Sequence, residues 1–293
     1  MSKPKSKHTH RHPPASRPAE PPEVVDPRWI LTALGSVLGF AILCAYITTC
    51  VLFYRSQWQL ALTPSRTVAA TPALPLTAVR FGTDASGQPQ LTGWWVPSGV
   101  SGARTALVLH AGTGSLSNML PTADLLHAAG LNTLVFDYRG FGQSGGQHPN
   151  QQLMQEDAAA ALRYLTDTRH IPLSQIVVFG QGVGAALAAE LCAQHPEIRD
   201  LIVEDAKGDV DRQLSSDPRA SLVPAHRLFN QKFALAQPLR SLATPKLLIT
   251  HTPGGAPQFI QNAADPKVTV ELPVQADPKL EVEAIRRFLS DKN

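Results

Sequence analysis

Residues 177–192 read VVFGQGVGAALAAELC. An apolar run meets Gly180, Gly182 and Gly184 and passes into an alanine-rich stretch, the pattern of a strand turning sharply into a helix. Two chemistries use such a turn. In the dinucleotide fingerprint G-x-G-x-x-G/A, small residues let backbone approach a pyrophosphate, and Gly180, Gly182 and Ala185 satisfy it. In the nucleophile elbow G-x-S-x-G, two glycines flank a serine on a strained turn, and Gly180, Gly182 and Gly184 fit with glycine at the serine position. The fingerprint also calls for an acid about 20 residues on, which Glu204 and Asp205 supply. Position argues the other way. The fingerprint opens a first strand–helix–strand unit, whereas two such units precede this turn and too few strands follow for a second nucleotide-binding half.

Other reactive side chains lie along the chain. Ser115, Ser117 and Ser144 carry hydroxyls, and His110 and His148 could act as bases. A base must reach its nucleophile at about 2.6–3.2 Å, which spacing alone does not test. Their structural roles weigh more: Ser144 closes a turn, and Asp137 and Arg139 are expected to stabilise it. Cys192 falls on the helix after the glycine turn and reads as a small core residue. No metal-ligand cluster is visible in this region, and no cofactor is implied. His8, His10 and His12 form H-x-H-x-H in the N-terminal tail, read as a solvated basic segment.

The elements that must position these residues are legible from periodicity. Strands are predicted at 78–81, 91–96, 105–110, 132–137, 175–179, 200–204, 246–250 and 268–272. Helices are predicted at 117–129, 153–166, from 182 onward, near 257–264 and at 279–289. A hairpin followed by repeated strand–helix units implies an α/β fold, a mostly parallel sheet covered by helices on both faces. Residues 207–243 are less regular.

Upstream the chain changes character. Residues 29–54 carry no charge and would span about 39 Å as a helix, enough for a hydrocarbon core of about 30 Å. Trp29 and Tyr54 stand at the ends, where amphipathic aromatics favour the interface. The run is too long for a signal-peptide core, and an uncleaved transmembrane helix is expected. Lys3, Lys5, Lys7, Arg11, Arg17 and Arg28 precede it against Glu20, Glu23 and Asp26, so the N-terminus is expected in the cytoplasm and the bulk of the chain outside. That excess accounts for the whole net charge of +3, leaving the remainder neutral and without a basic face for nucleic acid. The expected organisation is a disordered Pro-rich tail (1–28), a transmembrane helix (29–54), a linker (55–77) and an α/β domain (78–293).

Three stretches carry a resemblance. Residues 107–117 (LVLHAGTGSLS) resemble the His-Gly-x-x-Gly oxyanion loop of α/β-hydrolases, and residues 136–145 (FDYRGFGQSG) resemble their D-Y-R-G-x-G-x-S turn. GQGVG then falls where their elbow falls, and residues 244–251 (TPKLLITH) resemble the strand before their acid loop. The likeness covers roughly residues 76–290 and is strongest to the membrane-associated, serine-aminopeptidase-like branch. It implies a serine–histidine–acid triad, of which the nucleophile position holds Gly182. The loop after Thr250 contains no carboxylate, so the acid would come from the preceding strand end at Glu204 or Asp205, with Asp205 the remnant acid. Residues 252–293 contain no histidine, and Ala276 or Asp277 stands near the expected position. The resemblance also implies an oxyanion hole of backbone N–H groups from Val183 and from Ala111 or Gly112. Such donors do not depend on side chains, so a small ester, acid or lipid could bind without being cleaved. The expectation is a degenerate hydrolase serving in ligand binding or protein interaction. The alternatives are a hydrolase with a non-standard nucleophile and a dinucleotide binder.

Overall fold

The computed structural model describes residues 26–67, 75–206, 211–251 and 255–290, with no side-chain description for 211–213. The expected disordered tail and its histidines lie outside the described residues, apart from its last three positions. The chain divides into two units, Met1–Thr48 and Thr49–Asn293.

In the larger unit eight strands form one sheet: β1 (Thr77–Thr83), β2 (Pro89–Val96), β3 (Thr105–Leu109), β4 (Asn132–Asp137), β5 (Ile176–Gln181), β6 (Asp200–Glu204), β7 (Lys246–Thr250) and β8 (Lys267–Glu271). Their order is β1-β2-β4-β3-β5-β6-β7-β8. β1 pairs antiparallel with β2, and β2 with β4; every other pairing is parallel. Each strand predicted from the sequence is present within two residues of its expected ends. β3 to β7 are apolar runs because both faces of this sheet are covered, as parallel strands require.

Side-chain alternation sorts the core into two layers. Leu107, Leu109, Phe136, Val178, Leu201 and Leu248 share one layer with α3 (Gln151–Arg163) and α4 (Gly184–Gln194). Ala106, Val108, Val135, Val177, Phe179, Ile202 and Leu247 share the other with α2 (Leu120–Ala128) and α5 (Pro278–Ser290). Because β3 to β8 run in one direction, the C-terminal ends of β3, β5, β6 and β7 gather along one edge. In α/β sheets that edge is where ligands bind.

The apolar segment near the N-terminus forms α1 (Pro27–Ser56). It is long and apolar enough to cross a membrane, and its large apolar side chains between Trp29 and Tyr54 are exposed except Phe53. The helix runs two residues beyond the uncharged span at each end. The stretch expected to be a linker begins as packed structure. A turn of 3-10 helix at Gln57–Leu60 is followed by a two-residue parallel bridge of Thr63 and Pro64 to Thr113 and Gly114. Leu62 is buried in the main core. Gln57 ties the segment down: its amide donates to Leu228 O at 3.2 Å and its carbonyl accepts from Asn230 N at 2.7 Å. Prolines and scattered polar residues hid this packing, because it depends on partners far along the chain, from Thr113 to Asn230.

Candidate functional site

The turn between β5 and α4 is built by its glycines. Gly182 has φ of +57°, a left-handed conformation that L side chains rarely adopt. A Cβ on Gly180 would stand 2.7 Å from both Ala185 Cα and Ala188 Cβ, so its absence lets α4 pack directly against the strand it leaves. A Cβ on Gly184 would collide with the Leu109 carbonyl, so this glycine brings α4 against the end of β3. Gly182 N donates to Glu204 O at 3.2 Å, tying the elbow to the end of β6.

The backbone positions expected to form an anion cradle come together here. A Cβ on Gly182 would meet Ala111 Cβ at 3.0 Å, and one on Gly112 would meet Val183 Cγ2 at 2.9 Å. Gly112 also lies under the segment after α1: a Cβ there would reach Leu62 Cδ2 at 2.5 Å, and its carbonyl accepts from Thr63 N at 2.6 Å.

The hydroxyls and imidazoles noted in the sequence serve the framework. Ser115 caps the 3-10 turn at Leu116–Met119 and donates to Thr67 O at 3.2 Å. Ser117 reaches the same carbonyl at 3.3 Å. Ser144 donates to Asp137 O at 2.6 Å and accepts from Thr92 N at 2.9 Å. His110 is fully buried, with Nδ1 2.6 Å from Ala111 O, and burial depresses its pKa to about 4. His148 stacks on Trp58 with ring centroids 5.5 Å apart. Burial pushes the Cys192 thiol up to about 12, which makes it an inert core group. Asp137 and Arg139 hold the turn through different neighbours. Asp137 accepts from Leu116 N at 2.5 Å, whereas Arg139 Nε donates to Asp157 at 2.6 Å and its Nη2 to Glu156 at 2.8 Å, fixing α3.

At the ends of β6 and β7 the polar groups are of another kind. Asp205, itself at φ +43°, accepts from His251 N at 2.8 Å through Oδ1, and its Oδ2 lies 3.1 Å from His251 Nδ1. The acid proposed from the sequence therefore does have a histidine partner. That histidine follows β7, where the hydrolase pattern expects the acid, and not β8, after which the pattern expects the histidine. The ring's other nitrogen, Nε2, lies 3.9 Å from Glu281 Oε2 in the first turn of α5. Glu204 accepts from Gln181 Nε2 at 3.0 Å. Burial, then repulsion from Glu281 and Asp205, raises the Glu204 pKa well above the usual carboxylate range. Burial and Asp205 raise that of Glu281 as well, with a side-chain contact from Glu204 opposing.

Eight strands in this order, with a glycine elbow between the fifth strand and its helix, make the α/β-hydrolase fold. The fold is shared with an esterase from Pyrococcus furiosus, at a TM-score of 0.60 and 20% identity over 79% of this chain and 98% of that one. It is also shared with an α/β-hydrolase from Vibrio vulnificus, at a TM-score of 0.58 and 20% identity over 73% and 80% of the two chains. Within that class the chain belongs to the serine aminopeptidase S33 family, which its residues 102–273 match. Among relatives, the uncharacterized protein Rv2307c of Mycobacterium tuberculosis is 30% identical over 69% of this chain and 75% of its own length. Protein bem46 of Schizosaccharomyces pombe is 35% identical over 34% of each chain.

Proposed function

We propose that this protein is a membrane-anchored, catalytically silent member of the family, which binds a small carboxylic acid, ester or lipid at the elbow without cleaving it. The observation that carries the reading is Gly182: the family's fold is retained around a turn whose nucleophile position has no side chain. Acyl transfer through that position needs an oxygen that glycine does not have. The closeness of Val183 and Gly112, and of Gly182 and Ala111, supports an oxyanion hole of backbone N–H groups at these positions, and α4 begins beside them with its positive N-terminal end. The exposed apolar face of α1 supports anchoring, and the basic excess before it supports a cytoplasmic N-terminus with the hydrolase-like unit outside.

The Asp205–His251 pair favours a second reading, in which the imidazole activates a non-standard nucleophile. Its Nε2 faces Glu281, and Ser115, Ser117 and Ser144 are committed to framework hydrogen bonds, so the silent reading is preferred.

Labelling of the detergent-solubilised full chain with a fluorophosphonate serine probe tests the choice. Intact mass is expected to show no adduct on folded protein. A stoichiometric adduct on one serine, located by peptide mapping, would name a replacement nucleophile and sink the reading. With no adduct, thermal-shift screening of fatty acids, short-chain acids and esters is expected to find a stabilising ligand. NAD and NADP serve as controls for the dinucleotide alternative.

A further inference from the structure

The cluster beside the elbow contains more charge than a remnant of the triad needs. One ligand atom each from Glu204, Asp205 and His251 lies within 4.8 Å of the others. Glu281 closes the group from α5, with its side chain only 9% exposed and its Oε1 buried without a hydrogen-bond partner. Among the described residues, none of the four forms an ion pair with lysine or arginine. A buried carboxyl group, Glu281, facing a half-buried one, Glu204, is stable only if a proton or a cation stands between them.

The arrangement of the imidazole distinguishes these. Asp205 engages the Nδ1 side of His251 and also its backbone N–H, fixing the ring. In a neutral ring with its proton on Nδ1 toward this carboxylate, the Nε2 lone pair is directed toward Glu281. A carboxylate behind a histidine whose other nitrogen faces a second carboxylate is the outer-shell pattern of a metal ligand. The 3.9 Å between Nε2 and Glu281 Oε2 is close to the roughly 3.3 Å separating two ligand atoms on a tetrahedral ion with bonds of about 2.0 Å.

We propose that Glu204, His251 and Glu281 bind a first-row divalent cation of the Zn2+ class, with Asp205 orienting the imidazole. One imidazole among carboxylates suits this class better than the all-oxygen ions Ca2+ and Mg2+. The site adjoins the elbow, since Glu204 O accepts the Gly182 amide, and a cation there would add positive charge beside the backbone cradle. The proposal stands whether or not the elbow is silent.

The test uses the full chain in detergent with His8, His10 and His12 replaced by alanine, so that the tail contributes no binding. After chelator treatment and desalting, Zn2+ is titrated by calorimetry. One saturable site per chain is expected. His251→Ala and Glu281→Gln should each weaken it by about 100-fold, and Asp205→Asn, acting through the histidine, by about tenfold. Circular dichroism checks folding; if His251→Ala does not fold, Glu281→Gln, which keeps the side chain's shape, decides. Absence of saturable Zn2+ binding in the folded parent would overturn the proposal and leave a shared proton holding Glu204 and Glu281. Unchanged affinity in folded Glu281→Gln would overturn it equally.

Discussion

At Gly182 two physical effects act in the same direction. The left-handed backbone disfavours any side chain by about 1–2 kcal/mol, and a Cβ would press on Ala111 at 3.0 Å. Gly182→Ser is therefore expected to lower stability by about 1–2 kcal/mol, read as a drop of about 2–8 °C in the melting temperature. It should gain no esterase turnover with nitrophenyl acetate, because His251 Nε2 is already engaged 3.9 Å from Glu281 Oε2. Measurable turnover would mean that a base lies within reach of the new hydroxyl. Asp137 offers a pH-dependent counterpart. Burial raises its pKa from 3.8 to about 6 against the opposing bonds from backbone N–H groups. The folded state thus holds this proton more tightly than the unfolded chain. The resulting stability is complete below about pH 4 and is lost as pH rises through 6. The melting temperature of Asp137→Asn should fall less than that of the parent between pH 4 and pH 7, and an identical slope in the two proteins would exclude this contribution. The glycine turn and Asp205 were legible at this scale because their signals are local. His251 and Glu281 were not: they enter from β7 and α5, and only the sheet order brings them to the end of β6.

Beside the turn lies the segment after α1. Leu62 is 1% exposed and lies over Gly112, which itself touches Val183, so one aliphatic side chain covers the loop expected to supply an oxyanion donor. Leu62→Ala should cost about 2–5 kcal/mol through lost burial and the cavity left behind. It should also increase the hydrogen-exchange rate of the Thr63 and Ser65 amides, which donate to Gly112 O and Gly114 O. A loss of stability without faster exchange there would place the cost elsewhere in the core. The sheet strands were readable from the sequence because each is a continuous apolar run bounded by turn residues. The strap at 57–65 has no such period. Its order comes from Gln57 reaching residues 228 and 230 and from Leu62 entering the core, contacts with no local signature.

The whole molecule is divided in a place that composition does not mark. Charge reappears at Arg55, and a reading by hydropathy ends the apolar helix at Tyr54. The larger unit nevertheless begins at Thr49, inside α1. Phe53 is the reason: it is 2% exposed and belongs to the main core, while its neighbours Leu52 and Tyr54 are exposed. The last turns of α1 therefore serve the hydrolase-like unit as well as the apolar span. A chain begun at Arg55 would lack Phe53 and leave its place in the core unfilled, at a cost of about 3–5 kcal/mol, the range for truncating a buried phenylalanine. It would still keep Gln57 and Leu62. A chain begun at Thr49 should melt higher than one begun at Arg55, and Phe53→Ala in the longer chain should reproduce most of the difference. Equal melting temperatures for the two truncations would show that residues 49–54, Phe53 included, add nothing to the larger unit. The comparison separates the two roles of one helix, because Phe53→Ala removes the packing and leaves the apolar face of residues 29–48 untouched.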